Sequence, residues 1–401
     1  MAAAERMDAV LDPVIPRVGR WLAQRPGALS LAQGMVGWGP PPGVAAAVSE
    51  ALAAAARDPA AAAAIDRYGA VEGDPELRQA VERQLRECWG IDLEGSAVLI
   101  TAGSNMAFNA VVQALLDPGD EVILPLPWYF NHAMAVQLAG GVPVGVEAGP
   151  QLDPERLVAA ITPRTRAIVT ISPGNPTGVV VAPEVLAAIN RLCARHGLLH
   201  ISDEAYAAFV HGAVPHRSPG AASGSGAHTV TLQTLSKAYG MAGWRLGWAV
   251  VPADLMEALA KVQDTVLICP PRLLQRAAVA ALAAGEDWLA PRVAALGERR
   301  RQLLALLAAA DPAEDLRLWA EPDGAFYGLL DAPASLAGEA LVKHLVLEHG
   351  VATLPGESFA LVSAPGRALL RLSYGMLNAT DLAEAIRRLR EGLRAARSGL
   401  L

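Results

Sequence analysis

The rhythm of apolar and polar positions changes along the chain. Residues 11–43 are rich in Gly and Pro and hold neither a helical nor a strand period, so they read as an extended arm that packs on another part of the molecule. An alanine-rich stretch follows at 44–65. Glu50, Arg57 and Asp58 interrupt it, which makes it surface helix rather than membrane span. Beyond it, short β-branched runs recur at 98–101, 121–125, 142–146, 167–171, 198–202, 229–234 and 246–251. Amphipathic stretches with helical spacing separate several of them, at 106–116, 154–161 and 183–196. Apolar strands alternating with helices predict an α/β fold, with a large domain built on a mostly parallel seven-stranded sheet flanked by helices. Residues 253–308 read as mostly helical with a break at Pro270-Pro271. A smaller α+β segment then runs from about 316 to the end, with turns at Asp323-Gly324 and Pro355-Gly356. The expected organisation is an arm and loop at 1–43 packing with the small domain, a large domain at 44–290 and a small domain at 291–401.

Composition narrows the function classes. The net charge of −7, with no Lys/Arg cluster, argues against a nucleic-acid partner. The first eleven residues have no basic region followed by an apolar core, so a cytoplasmic protein without a signal peptide and without a membrane partner is expected. Cys88, Cys193 and Cys269 are far apart, with neither metal-ligand spacing nor a disulfide framework. They read as buried or partly buried free thiols, and no metal is expected.

Ligands on open parallel sheets bind beyond the carboxyl ends of the strands. Four segments there carry candidate chemistry. Thr101 to Asn105 (TAGSN) closes a strand and opens a helix. Its small residues admit an anion to the helix N-terminus, although ordinary capping explains the same pattern. Pro173 to Gly178 (PGNPTG) is a rigid turn that presents the Asn175 amide. In Ser202 to Tyr206 (SDEAY), Asp203 can cap a helix or offer its carboxylate to a cationic ring nitrogen, and Tyr206 can donate its hydroxyl to a phenolate-like oxygen. Finally, Thr234 to Arg245 (TLSKAYGMAGWR) sets Lys237 among small and apolar residues. Desolvation there favours the neutral, nucleophilic amine, with hydroxyls at Thr234 and Ser236 and the planar cation of Arg245 nearby. Arg371 stands in the strand-like LLRLS with leucines around it, and a charge so placed needs a partner.

In the order Tyr68-Gly69, TAGSN, an aromatic after Pro127, NPTG, SDEAY, SKAYGMAGWRLG and RLS at Arg371, the chain resembles the class I/II aminotransferases of pyridoxal-5′-phosphate (PLP) fold type I. The likeness runs over nearly the whole chain and looks nearest to the aromatic and methionine aminotransferase branch. It implies PLP as cofactor. It also implies that Lys237 holds the cofactor covalently and moves the substrate α-proton, that Asp203 pairs with the pyridine nitrogen, and that Tyr206 and Asn175 bond the ring oxygen. Gly103, Ser104, Asn105, Thr234, Ser236 and Arg245 would contact the phosphate. Tyr129, with Trp128 as rival, would stack on the ring. Arg371 would grip the substrate carboxylate, Asn175 would face substrate as well, and Gly34 would lie in the loop closing over it. Tyr68 would reach the neighbouring subunit's phosphate, implying a homodimer with shared active sites.

The same resemblance bears on the substrates, an amino acid and a 2-oxo acid. Relatives specific for dicarboxylates carry a second arginine before a Pro-Pro pair, and that place falls near Asp264 in this chain. An acid there opposes an acidic side chain, while Met35 and Trp38 in the closing loop offer apolar surface, Trp38 serving either substrate contact or loop packing. The expected reaction is amino transfer from an aromatic or large apolar L-amino acid. Cleavage by β-elimination (a C–S lyase) or a specialised biosynthetic step on the same scaffold stays open, as does a non-catalytic sensor, against which intact Lys237, Asp203 and Arg371 argue.

Overall fold

The computed structural model describes residues 3–336 and 338–397. A two-residue strand, β1 (Leu29–Ser30), lies in the arm. The main sheet follows, from β2 (Ser96–Thr101), β3 (Glu121–Pro125), β4 (Val142–Val146), β5 (Thr165–Ile171), β6 (Leu199–Asp203), β7 (Thr229–Thr234) and β8 (Gly247–Pro252). Its order is β2-β8-β7-β6-β5-β3-β4. Every neighbouring pair from β7 to β4 is parallel, and β8 alone is reversed between β2 and β7. The expected α/β fold with a mostly parallel seven-stranded sheet is therefore the one observed. Every residue of β7 and β8 is buried, because helices cover both faces and leave no polar side to the strand.

Helix Ser104–Leu115 packs Ala107, Phe108 and Val111 on one face of the sheet, against Leu99, Val122 and Val230. Helix Pro183–His196 covers the other, with Leu186, Ile189 and Leu192 against Ile123 and Ile168. Proline opens this second helix, where no N–H bond is lost, and Gly197 at φ 67° closes it. Burying Leu186, Ile189 and Leu192 contributes about 1.5–3 kcal/mol each, and an aspartate at Ile189 would strand a charge between the layers.

The C-terminal part adds β9 (Arg317–Leu318), β10 (Tyr327–Pro333), β11 (Val351–Ala352), β12 (Leu354–Pro355) and β13 (Arg367–Ser373). Four of these form an antiparallel sheet in the order β12-β13-β10-β9. β1 pairs in parallel with β11, Leu29 opposite Val351 and Ser30 opposite Ala352, so the arm is sewn to the C-terminal part by backbone hydrogen bonds.

Three local expectations change. The arm is not extended throughout, since Val14–Ala23 is a helix with Val14 and Val18 buried. Pro16 lies in its first turn, where a missing N–H costs nothing. The alanine-rich stretch is two helices, Pro42–Ala55 and Pro59–Asp66, because Asp58 caps the second by accepting from Ala60 N and Pro59 restarts the chain. Cys193 is buried and Cys269 half-buried, but Cys88 is exposed. Among the described residues no single helix is long and apolar enough to cross a membrane. The bent pair Ala253–Leu267 and Arg272–Ala283 meets the length and composition test only when taken together.

Candidate active site

A cleft with about 500 Å³ of open space lies at the carboxyl ends of β5, β6 and β7. Ser104, Asn105, Tyr129 and Asn175 enter it from loops after β2, β3 and β5. Asp203 ends β6 and Tyr206 follows it, while Thr234 ends β7 and Ser236, Lys237 and Arg245 follow it. Motifs scattered over some 140 residues thus meet in one place, as the strand-end argument requires.

One end of the cleft is built for an anion. Gly103 precedes helix Ser104–Leu115 at φ 87°, and a Cβ there would sit 2.6 Å from Arg245 Nη2. Only glycine lets the guanidinium come so near the helix N-terminus. Arg245, itself at φ 54°, donates to Ala242 O at 2.9 Å, Ala102 O at 3.2 Å and Ser236 Oγ at 3.4 Å. Thr234 Oγ1 donates to Leu246 O at 3.1 Å and lies 2.9 Å from Ser236 Oγ. Helix dipole, guanidinium and hydroxyls together favour a phosphate.

The other end holds a buried acid. Asp203 Oδ2 lies 3.1 Å from His132 Nε2, while Oδ1 accepts from Ala205 N at 3.0 Å. The two oxygens divide the roles, one closing the local turn and one held by an imidazole. His132 stacks on Phe108 at 4.1 Å and is 2% exposed. Sequence reasoning passed over this histidine, although it stands one helical turn beyond Tyr129. Tyr129 meets His132 edge-on at 5.2 Å and accepts from Asn131 Nδ2 at 3.0 Å. Burial raises its hydroxyl pKa, against the pull of a hydrogen bond with Asn105. Trp128, the rival, lines only an adjoining apolar cavity.

Between the ends lies Lys237. Its Nζ donates to Gly34 O at 2.6 Å and sits 6.0 Å from the Tyr206 ring centre. Burial first, then the charges of Arg371 and Arg245, push its pKa down to about 8, with Asp203 pulling the other way. Tyr206 and Tyr327 share a hydroxyl–hydroxyl hydrogen bond of 2.8 Å. Tyr327, at the start of β10, was not anticipated, although the GAFYGLL segment after the Asp323-Gly324 turn places an aromatic there.

Arg371 is 1% exposed on β13. Its Nη1 donates to Asn175 Oδ1 at 3.0 Å and its Nη2 to Ala32 O. The guanidinium lies over the rings of Tyr327 and Phe359, at 4.6 and 5.5 Å. Nε is buried without a partner, and among the described residues no carboxylate pairs with this cation. A buried charge without its counter-ion is costly, so the site is shaped for an incoming anion.

The remaining candidates lie around this core. Gly34 closes on Tyr327, whose hydroxyl would collide with any Cβ there. Trp38 packs instead of lining the cleft. Its indole N–H donates to Ala238 O at 3.1 Å and its ring tilts against Phe209, which fastens the loop beside Lys237. Met35 is 38% exposed and Tyr68 77% exposed. Asp264 is exposed in the last turn of helix Met256–Leu267.

An anion seat, a buried acid, an amine of lowered pKa between them and a neighbouring unpaired guanidinium fit pyridoxal phosphate and an amino-acid carboxylate. Fold and site together define a PLP-dependent transaminase. Comparison with known proteins agrees. The family model for aminotransferase class I and II matches residues 37–389, and the chain belongs to that family. It is similar to an aspartate/prephenate aminotransferase of Thermus thermophilus, 38% identical over 314 residues, covering 77% of this chain and 78% of that one. It is also similar to the aromatic aminotransferase ISS1 of Arabidopsis thaliana, 34% identical over 392 residues, covering 95% and 93%. The solved aspartate aminotransferase from Thermus thermophilus with maleate superposes with a TM-score of 0.85 at 33% identity, covering 98% of this chain and all of that one.

Proposed function

We propose that the enzyme moves the amino group of an aromatic or large apolar L-amino acid to a 2-oxo acid. The observation that carries this reading is the buried, unpaired Arg371 beside aromatic surface. One guanidinium answers one carboxylate, the α-carboxylate, and Asn175 Oδ1 holds the fork in place for it. Asp264, near the place where dicarboxylate enzymes carry an arginine, has the wrong sign for a second carboxylate.

When bound, the cofactor supplies an electron-withdrawing ring that stabilises negative charge on the substrate Cα. The chain's own residues do the rest. Asp203, oriented by His132, would pair with the cofactor's ring nitrogen. Tyr206 and Asn175 would hold the ring oxygen, and Tyr129 would pack on the ring. The Gly103–Asn105 turn, Thr234, Ser236 and Arg245 would hold the phosphate. Lys237 Nζ, its pKa lowered to about 8 by burial and the neighbouring arginines, would serve as the base for the substrate's α-proton. Gly34 and its loop keep water from that amine. Tyr68, exposed on this chain, serves the site of a second copy in a homodimer.

The relatives' names span aspartate, prephenate and aromatic substrates, so the donor is the point to test. With a common acceptor, kcat/KM for phenylalanine, tryptophan and methionine should exceed that for aspartate. Full burial of an apolar side chain is worth about 1.5–3 kcal/mol, roughly ten- to a hundredfold. A preference for aspartate would overturn the donor assignment. Release of pyruvate and ammonia from a cysteine conjugate, without transamination, would move the reaction to β-elimination.

A further inference from the structure

Tyr327 stands where three parts of the site converge. It is fully buried at the start of β10, opposite Ser373, and Leu329 two residues on pairs with Arg371. Its ring lies 4.6 Å under the Arg371 guanidinium, and its hydroxyl is 2.8 Å from that of Tyr206. The loop that accepts from Lys237 passes so close that Gly34 has no room for a Cβ beside the same hydroxyl. Among the described residues, neither phenol has another hydrogen-bond partner.

We propose that Tyr327 is a positioning residue that donates its proton to the Tyr206 oxygen, strengthening Tyr206 as a donor to the cofactor, while its ring seats Arg371. The inference rests on the reading of Tyr206 as the contact to the cofactor's ring oxygen. A phenol has one O–H. Once Tyr206 gives its own to the ring oxygen, the bond with Tyr327 must run from Tyr327 to Tyr206. A donor that also accepts is polarised, which strengthens its bond by roughly 10–30%. Burial holds both phenols protonated, Tyr327 with a pKa of about 12 and Tyr206 well above the ordinary 10. The charged and titratable groups facing the pair are Asp203, Tyr129, Tyr374, Arg371 and Lys237.

The ring oxygen carries more negative charge once the lysine-bound cofactor has lost its proton. A stronger donor to that oxygen therefore favours the deprotonated form and lowers the pH midpoint of the cofactor's visible absorption. The test is an absorbance titration of the holoenzyme and of Tyr206→Phe, Tyr327→Phe and the double variant, each checked for folding by circular dichroism and melting. Tyr206→Phe should raise the midpoint most, and Tyr327→Phe should raise it by roughly 0.3 unit. The double variant should match Tyr206→Phe, because Tyr327 acts through Tyr206. The donor's KM should hold in Tyr327→Phe, which keeps the ring, and rise by roughly three- to tenfold in Tyr327→Leu, which loses it. Gly34→Ala, whose new methyl displaces the hydroxyl, should shift the midpoint the same way and covers the case in which Tyr327→Phe fails to fold. If Tyr206→Phe leaves the midpoint unmoved, the cofactor contact assigned to Tyr206 falls, and this inference with it. If Tyr206→Phe moves it while Tyr327→Phe does not, or if the two shifts add, only the role of Tyr327 is overturned.

Discussion

Arg371 carries its charge where almost no water reaches, and its charge helps lower the Lys237 pKa to about 8. Replacing Arg371 by Lys keeps the charge but loses the planar fork. kcat/KM for the amino donor should fall by about 2–3 kcal/mol, roughly thirty- to a hundredfold, mostly through KM. Steady-state kinetics on Arg371→Lys and the unaltered enzyme decides this, and an unchanged KM would remove Arg371 from the carboxylate site. The Lys237 pKa of about 8, against an ordinary 10.5, sets a pH window. Below about 8 the amine is protonated in the fold and is a poor nucleophile. PLP capture by the cofactor-free protein should therefore speed up as pH rises and level off above that value. The same shift makes the folded apo-protein gain stability as pH rises from about 8 toward 10.5, because the unfolded chain then binds the extra proton. Stopped-flow absorbance reads the first effect, and Lys237→Ala should show no covalent capture at any pH. At this scale Lys237, Asp203 and Arg371 were legible because each follows or lies in a strand within a short motif. His132 and Tyr327 were not, since each matters through a partner distant in sequence, 121 residues away for Tyr206 and Tyr327.

At the scale of elements, the strand β2, the turn at Gly103 and helix Ser104–Leu115 form one anion-binding unit. Gly103 at φ 87° and ψ 164° occupies backbone space that other residues enter at a cost of about 1–3 kcal/mol. A methyl there also presses on Arg245 Nη2. Gly103→Ala should weaken PLP binding by roughly five- to a hundredfold, read by fluorescence titration of the apo-protein. Equal affinity would mean that the helix terminus is not the phosphate seat. Strand and helix positions were largely visible in the sequence, because burial on both faces leaves β-branched runs and amphipathic helices leave a period. The helix Val14–Ala23 was hidden by Pro16 and Gly19, which are read as breakers unless their place in the turn is known.

At the scale of the whole molecule, Tyr68 stands 77% exposed. The Gly69 N–H donates to Cys269 Sγ at 3.3 Å, and Tyr68, Val266 and Ile268, in the segments so joined, are all exposed. Large apolar side chains left in the open fit an interaction face. A homodimer is expected, with Tyr68 completing the partner's site. Mixing inactive Tyr68→Leu and Lys237→Ala variants under subunit exchange should restore part of the activity, because one hybrid site is intact. Proven exchange without recovery would count against sharing.

The sequence by itself determined the α/β architecture and, through the order of its motifs, the resemblance that implies the family and the cofactor. The architecture depends on local rules, hydrophobic period and turn chemistry, and the resemblance on short motifs at fixed spacing. Tertiary structure alone decided that His132 braces Asp203, that Tyr327 links Tyr206 to Arg371, and that Trp38 packs on Phe209 and Ala238. It also decided that the arm joins β11 as a strand. Each of these depends on which distant segments approach within hydrogen-bond or van der Waals range, and no local pattern encodes that approach.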